Sequence, residues 1–540
     1  MKYTTHVSLK QTEQTSPVLG KKMVENNAGG FVFQIDEWKQ LDRFLILGTE
    51  GGSYYTGEKA LTVENAENVI KCIKLNGRKT VERIVDISFS GRAPKNKPAL
   101  FALSLCMSPA LADISTRQLA CEAVPKVART STDFFAFINM MQHSRGWGKL
   151  AKLMAQNWYQ LKTPSELEYQ LVKYRQRGAW CHSDVLRLAK PKPISPLHNQ
   201  LYSFAKHGYL DDNKDFKLIE GFDKIQKAET AKEAAKLITE YKLPMETVPT
   251  RFKKELIIWD ALLPHLPMTA LIRNLRNIAK SGLLVPLSET SKFVSERLTN
   301  QEAIIKARVH PIQFLNALMA YGEGKARVFE NGYVYGAKKD PGTWLVSPNV
   351  MSALNQGFHL AFKTVKPTGK SMMLALDVSG SMNWQSCLGI DNLTPREASA
   401  ALALVTLNVE DNCMIGVFTD KFTPFNGITK GMSVQNAIKA VSNLKFGTTN
   451  ISAPIEWSIK NNIKCDIFSI FTDNETYQGK IHPYQALKLH RNKFSIPTKL
   501  ITVAMTSTGF SIADPSDPLM MDLIGFDSSS PSIISEFSML

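Results

Sequence analysis

The sequence predicts a multidomain protein: an all-α, helical-repeat region followed by a doubly wound α/β domain. Three observations carry that expectation. From about residue 60 to 325, apolar residues recur at helical spacing and strand patterns are nearly absent. Between about 325 and 370 the chain becomes rich in Gly, Pro and Tyr, through Gly332-Tyr333-Val334-Tyr335-Gly336, Pro341-Gly342 and Pro367-Thr368-Gly369, as at a domain boundary. Beyond it, short apolar runs alternate with helical patterns, as parallel strands joined by crossover helices do. The expected division is a flexible or lightly docked arm at 1–30, a helical region at 31–365 and an α/β domain at 366–540.

At 540 residues, 44% hydrophobic and 21% charged, the chain has an ordinary globular composition with room for several cores. Seven cysteines without any C-x-x-C pair fit a reducing compartment. Residues 1–30 lack the apolar run of a signal peptide, and Leu100–Ala112 is too short to span a bilayer. The expectation is a monomer of the cytoplasm, with the nucleus as a second site, and no membrane partner. Charge is unevenly placed. From Lys366 on, 14 Lys and Arg stand against 15 Asp and Glu, so the whole excess of +16 falls on the first 365 residues. Such a one-sided excess points to a polyanion, nucleic acid first.

Within the helical region, Ala66, Val69, Ile70 and Ile73 share one face, and Asn76-Gly77 reads as a stop. Ser115 with Gln118, Thr163 with Glu166 (Pro164 at the first helical position) and Thr230 with Glu233 read as capping boxes. Ala234, Leu237, Ile238 and Tyr241 form the apolar face behind Thr230. Many helices of this length with short turns suggest stacked pairs of the HEAT or armadillo kind, which expose long surfaces to large partners. One segment is dense in basic residues. Lys173, Arg175, Arg177, Arg187, Lys190 and Lys192 offer phosphate contacts, with Lys149 and Lys152 extending the patch beside Trp147. Trp180 and His182 add planar groups suited to stacking on an unpaired base.

In the α/β region the expected order is the strand Met372–Asp377, a helix opened by Thr394-Pro395-Arg396-Glu397, and the strand Met414–Phe418. Then follow the helix Val434–Leu444, a strand at Ile467, the helix Pro483–Arg491 and the strand Lys499–Ala504. The first strand ends in Asp377-Val378-Ser379-Gly380-Ser381, where open α/β sheets place their ligands. A carboxylate with hydroxyls two and four residues on gives three hard oxygen donors, suited to Mg²⁺ or Mn²⁺. Gly447-Thr448-Thr449-Asn450 offers another hydroxyl, and Phe471-Thr472-Asp473 ends a second buried strand in a carboxylate.

These three loops resemble the metal-ion-dependent adhesion site of von Willebrand factor A domains. The resemblance implies one Mg²⁺, with Mn²⁺ as a substitute, held by Asp377, Ser379, Ser381, Thr449 and Asp473. Thr448 stands where many members carry a second Gly. Further stretches are similar to the TROVE module: Arg43-Phe44-Leu45-Ile46-Leu47-Gly48-Thr49-Glu50-Gly51-Gly52-Ser53-Tyr54-Tyr55, the run Lys173–Leu188, and Ala307-Arg308-Val309-His310-Pro311. Together with Phe471-Thr472-Asp473-Asn474-Glu475-Thr476 they resemble the 60-kDa Ro (SS-A) ribonucleoprotein family over residues 30–540. That resemblance implies helical repeats closed into a ring with a basic hole. It also implies partners: structured Y-type noncoding RNA on the outer surface, and single-stranded 3′ ends of misfolded RNA in the hole.

Other chemistries fit poorly. Gly369-Lys370-Ser371 precedes a strand, whereas a phosphate-binding loop follows one. A two-metal nuclease would gather more carboxylates. No zinc-spaced Cys/His set occurs, so no enzyme is expected. Two readings remain: an RNA-binding scaffold whose metal site recruits an acidic protein, or a metal-dependent protein–protein adaptor whose basic charge is incidental.

Overall fold

The computed structural model describes residues 11–48, 66–210, 212, 214–324, 343–362, 367–383, 393–445, 447–506, 508–525 and 527–540. The stretches at 332–336 and 341–342, and residues 49–55 of the first TROVE-like run, lie outside them. In chain order the strands are β1 (Met23–Glu25), β2 (Phe31–Gln34), β3 (Gln176–Arg177), β4 (Trp180–Cys181), β5 (Met372–Asp377), β6 (Cys413–Phe418), β7 (Phe422–Pro424), β8 (Ile467–Thr472), β9 (Lys499–Ala504), β10 (Phe510–Ser511) and β11 (Met520–Ile524). The described residues fall into two compact units. One comprises those up to Val69 with Arg92–Pro94 and Phe362–Leu540, and the other Ile70–Gly91 with Lys95–Ala361.

The first unit is the expected α/β domain. Its six-stranded sheet has the order β11-β9-β8-β5-β6-β7, parallel except for the β6–β7 pair. Central strands β5, β8 and β9 are buried along their whole length, which explains their unbroken apolar runs. On one face Met373, Ala375, Phe468 and Ile470 pack with Ile451, Ile455, Tyr484 and Leu487 from the helices Ala453–Lys460 and Pro483–Phe494 and their approaches. The helix Pro395–Val409, opened by the Thr394–Glu397 capping box, packs against β5, β6 and β8. Helices therefore cover both sides of the sheet, and β5 and β8 end side by side.

Residues 11–30 of the expected arm are docked, and residue 31 is not a boundary. Strand β1 pairs with β2, and β2 with β10, in a three-stranded antiparallel sheet, so residues 11–47 belong to the α/β unit. The helix Glu37–Leu47 that follows explains the Arg43-Phe44-Leu45 run. Arg43 is 1% exposed; its Nη2 donates to both carboxylate oxygens of Asp522 (2.7 and 2.8 Å), and Nη1 donates to the carbonyls of Phe510 (3.0 Å) and Thr508.

Among its described residues, the second unit is helical apart from the β3–β4 hairpin and its loops. Lys97–Cys106 packs on Ser131–Ser144, Ile114–Val127 on Lys149–Gln160, and Pro164–Lys173 on Pro196–His207. Each helix thus meets the next but one, as in stacked helix pairs. Thr163 and Glu166 form the capping box read from the sequence, and Thr230 caps its helix through the Glu233 amide. One local expectation is corrected. Asp113, not Ser115, caps the helix Ile114–Val127, because its carboxylate accepts from the Thr116 amide (2.7 Å). Asn76-Gly77 does end a helix: Asn76 leaves helical φ/ψ, and its Oδ1 accepts from the Lys79 amide (2.9 Å), so a second helix starts there and runs to Phe89.

Because Arg43 and Asp522 are both buried, cutting Arg43→Ala strands a carboxylate in the interior. The variant should destabilise the α/β unit by about 3–5 kcal/mol, measured as a shift of its unfolding transition in urea.

Candidate metal centre and nucleic-acid interface

The register that places Leu376 opposite Phe471 sets the ends of β5 and β8 together, and with them Asp377 and Asp473. Asp377 is fully buried. Its Oδ1 accepts from the Ser379 amide (2.9 Å) and its Oδ2 from Thr472 Oγ1 (2.7 Å). The Ser379 and Ser381 hydroxyls stand 3.1 Å apart. Asp473 Oδ1 accepts from the Glu475 amide (3.0 Å), whereas its buried Oδ2 has no hydrogen-bond partner. Thr449 is buried, and its carbonyl accepts from the Gln478 amide (3.2 Å) and Thr476 Oγ1 (3.3 Å), tying its loop to the one after Asp473. Thr448 is not among the described residues with positive φ, so the loop does not need the glycine that other members carry there.

Electrostatics marks the same place. Burial, then the charges of Asp377 and Glu475, hold the Asp473 carboxyl well above the usual carboxylate range. Burial also raises Asp377, against hydrogen bonds from Ser379 and Thr472 and the charge of Arg396. Two carboxylates in one dry pocket favour either a proton or a cation between them. The donor set fits a hard divalent ion: carboxylates and hydroxyls, one carboxylate oxygen unpaired, and no sulfur or imidazole.

Arg396 was read from the sequence only as part of a capping box. It is 1% exposed, and its guanidinium donates to the carbonyls of Val378 and Leu444 (3.0 Å for the latter), anchoring the first loop from below. Thr472 was passed over as a strand residue. No sequence pattern distinguishes a buried arginine from an exposed one, but a hydroxyl next to a strand-end carboxylate was visible.

The structure divides the candidate RNA-binding residues. Lys149, Lys152, Arg175, Arg177, Arg187, Lys190 and Lys192 are exposed. Arg175, Arg177, Lys173 and Lys253 line an open cleft of about 670 Å³, with Arg175 lying 4.8 Å over the Phe222 ring and Glu246 also in the lining. Lys253 was not singled out, although Arg251-Phe252-Lys253-Lys254 is a basic run.

Three assignments are corrected. Lys173 is not a free phosphate ligand: its side chain is 8% exposed, donates to Tyr169 Oη (2.8 Å) and lies 4.0 Å from Glu246. Trp180 is 8% exposed and packs 5.8 Å from Trp147, so it presents no face to a base. His182 is buried against Phe135 (4.9 Å between ring centroids), with its Nδ1 2.8 Å from Tyr159 Oη. The reason is helical spacing: His182, Val185, Leu186 and Ala189 form the inward face of the helix His182–Ala189, leaving Arg187 and Lys190 outward.

Burial pushes the His182 imidazole down to about 3, so it is neutral in the fold at physiological pH. The unfolded chain takes up that proton near pH 6.5. Between those values the unfolded state binds more protons, so stability is intact above pH 6.5 and is lost as pH falls. The expected slope from this group is about 1.4 kcal/mol per pH unit. His182→Gln should flatten the acid loss seen in urea denaturation at pH 7.0, 5.5 and 4.5.

Against this geometry, comparisons with known proteins are informative. A family model described as the TROVE domain matches residues 24–341, and one described as the Ro60 vWA domain matches 371–538. A relative from Deinococcus radiodurans, named RNA-binding protein RO60, is 35% identical over 531 residues, covering 98% of this chain and 97% of that protein. A relative of the same name from Caenorhabditis elegans is 32% identical over 595 residues, covering 95% and 90%. The crystal structure of the Deinococcus radiodurans RO (RSR) protein is similar with a TM-score of 0.70 at 34% identity, covering 93% of this chain and 99% of that one.

Proposed function

The chain belongs to the Ro60 family, and from that premise we propose that it is an RNA-binding ribonucleoprotein component, not an enzyme. The observation that carries this reading is the open basic cleft of Arg175, Arg177 and Lys253, with Arg187, Lys190 and Lys192 also exposed a few residues on in sequence. Exposed guanidinium and ammonium groups bind the phosphate backbone and carry no sequence information of their own. Two finer assignments rest on the family resemblance: Y-type noncoding RNA on an outer basic surface, and single-stranded 3′ ends of misfolded RNA in the hole of the repeats. So do a cytoplasmic location, with the nucleus second, and a monomeric state.

The α/β unit adds a second activity. Asp377, Ser379, Ser381, Thr449 and Asp473 would hold one divalent cation, Mg²⁺ with Mn²⁺ as a substitute. When bound, the cation supplies an electrophilic position for an outside carboxylate or phosphate. Hydroxyl ligands leave much of its charge unneutralised, which favours an acidic protein as the partner there. This is also the observation that sustains the adaptor reading, which differs by making RNA binding incidental.

Salt dependence separates the two. RNA with a single-stranded 3′ tail should bind with a steep salt slope, and each of Arg175→Ala and Arg177→Ala should lower the slope by about 0.7. Lys173→Ala should change it little, because that ammonium is already engaged. Salt-independent RNA binding, with chelator-sensitive capture of an acidic polypeptide, would favour the adaptor. At the metal centre, Asp473→Asn should abolish Mn²⁺ binding in calorimetry. It should also raise the metal-free melting temperature of the α/β unit, since it removes like-charge repulsion.

A further inference from the structure

The segment at 11–34 lies outside the Ro60 vWA match and only partly inside the TROVE match. Its polar side chains nonetheless end on two of the three metal loops. Gln14 is fully buried; its Nε2 donates to Asn450 Oδ1 (2.9 Å), Ser452 Oγ (3.1 Å) and the Ile481 carbonyl (2.8 Å), and its Oε1 accepts from Thr476 Oγ1. Asn26 Nδ2 donates to the Thr476 carbonyl (2.7 Å) and Asn27 Nδ2 to Glu475 Oε1 (2.6 Å). Gly30 sits so near that a Cβ there would lie 1.7 Å from the Thr476 carbonyl oxygen. Asn450 directly follows Thr449, and Thr476 stands three residues after Asp473.

An apolar strap would do if the segment only covered core. Here a buried amide bonds both loops at once, and a shift of either loop breaks bonds that water cannot replace. We infer that residues 11–30, through Gln14 and Asn26, are a positioning element of the metal centre, fixing the spacing of the Thr449 and Asp473 loops and so the affinity for a divalent cation. The inference rests on the metal reading above. It makes the chain's N-terminal segment part of a site formed otherwise by residues more than 340 positions away in sequence.

The test uses the full chain and Mn²⁺. Calorimetry on the wild type comes first, and failure to bind Mn²⁺ would contradict the metal reading itself, whatever the segment does. Given binding, linkage requires that the cation in turn stabilise the strap. Mn²⁺ should therefore slow hydrogen exchange at the Gln14 amide, bonded to Gly479, and at the Phe31 amide, bonded to the Gln14 carbonyl. Gln14→Met, which keeps the shape and removes the bonds, should weaken Mn²⁺ binding about tenfold or more. Lys21→Met breaks the strap's ion pair with Asp514, which touches neither loop, and should leave the affinity unchanged. Wild-type affinity in a folded Gln14→Met, or strap exchange indifferent to Mn²⁺, would overturn the inference. Should Gln14→Met fail to fold, the exchange measurement on the wild type decides alone.

Discussion

Two carboxylates forced into one dry pocket are the constraint around which the α/β unit is built. Parallel pairing of β5 with β8 brings Asp377 and Asp473 to the same sheet edge, where neither carboxylate reaches water. Like charges in a low-dielectric site repel strongly, and each must be satisfied or neutralised. The surroundings answer in layers. Thr472 and the Ser379 amide occupy Asp377, Arg396 places a positive charge near it, and the Ser379 and Ser381 hydroxyls stand 3.1 Å apart on the same loop. One oxygen, Asp473 Oδ2, is left without a hydrogen bond. A site in this state is preorganised for a cation, because binding removes repulsion instead of adding strain.

The helical unit solves the opposite problem, an excess of positive charge. Its helices turn their apolar stripes inward and leave Lys and Arg on the solvent side. In the segment from Lys173 to Lys192 the alternation is sharp: His182 completes the core beside Trp158, which stacks on Phe134 at 4.2 Å, and Trp180 packs on Trp147, whereas Arg175, Arg177, Arg187 and Lys190 stay in water. Solvated charges retain the freedom to meet phosphates, and a cleft with an aromatic floor at Phe222 orients one of them. Recognition built from such groups is set by charge and access more than by sequence.

Much of this was legible in the sequence because the signals were local. The strand Lys499–Ala504 and the capping boxes at Thr163 and Thr394 stand where the residues put them, and Asp377 and Asp473 come at the ends of neighbouring strands. What the sequence hid depends on distant partners. Strands β1, β2 and β10 are two to four residues long, too short for a period, and exist because residues 23–34 meet 510–511. Gln14 reads as one polar residue in a polar stretch until its four partners are in place. Asn76-Gly77 ends a helix as its chemistry suggests, but nothing local shows that Gly77 packs where Thr116 leaves no room for a side chain. Trp180 and His182 were misjudged because a planar group inside a basic run reads alike whether its face is free or packed.

On the proposed reading, RNA lies along the solvent side of the basic segment while the planar groups within it stay packed. Photocrosslinking of the full chain to an RNA bearing 4-thiouridine along a single-stranded 3′ tail, with the crosslinked residues mapped by mass spectrometry, tests this most directly. Crosslinks at residues 175–179 and 187–192, suppressed by raising the salt and absent from Trp180 and His182, are the predicted result. Crosslinks confined to the α/β unit, or centred on Trp180 and His182, would contradict it.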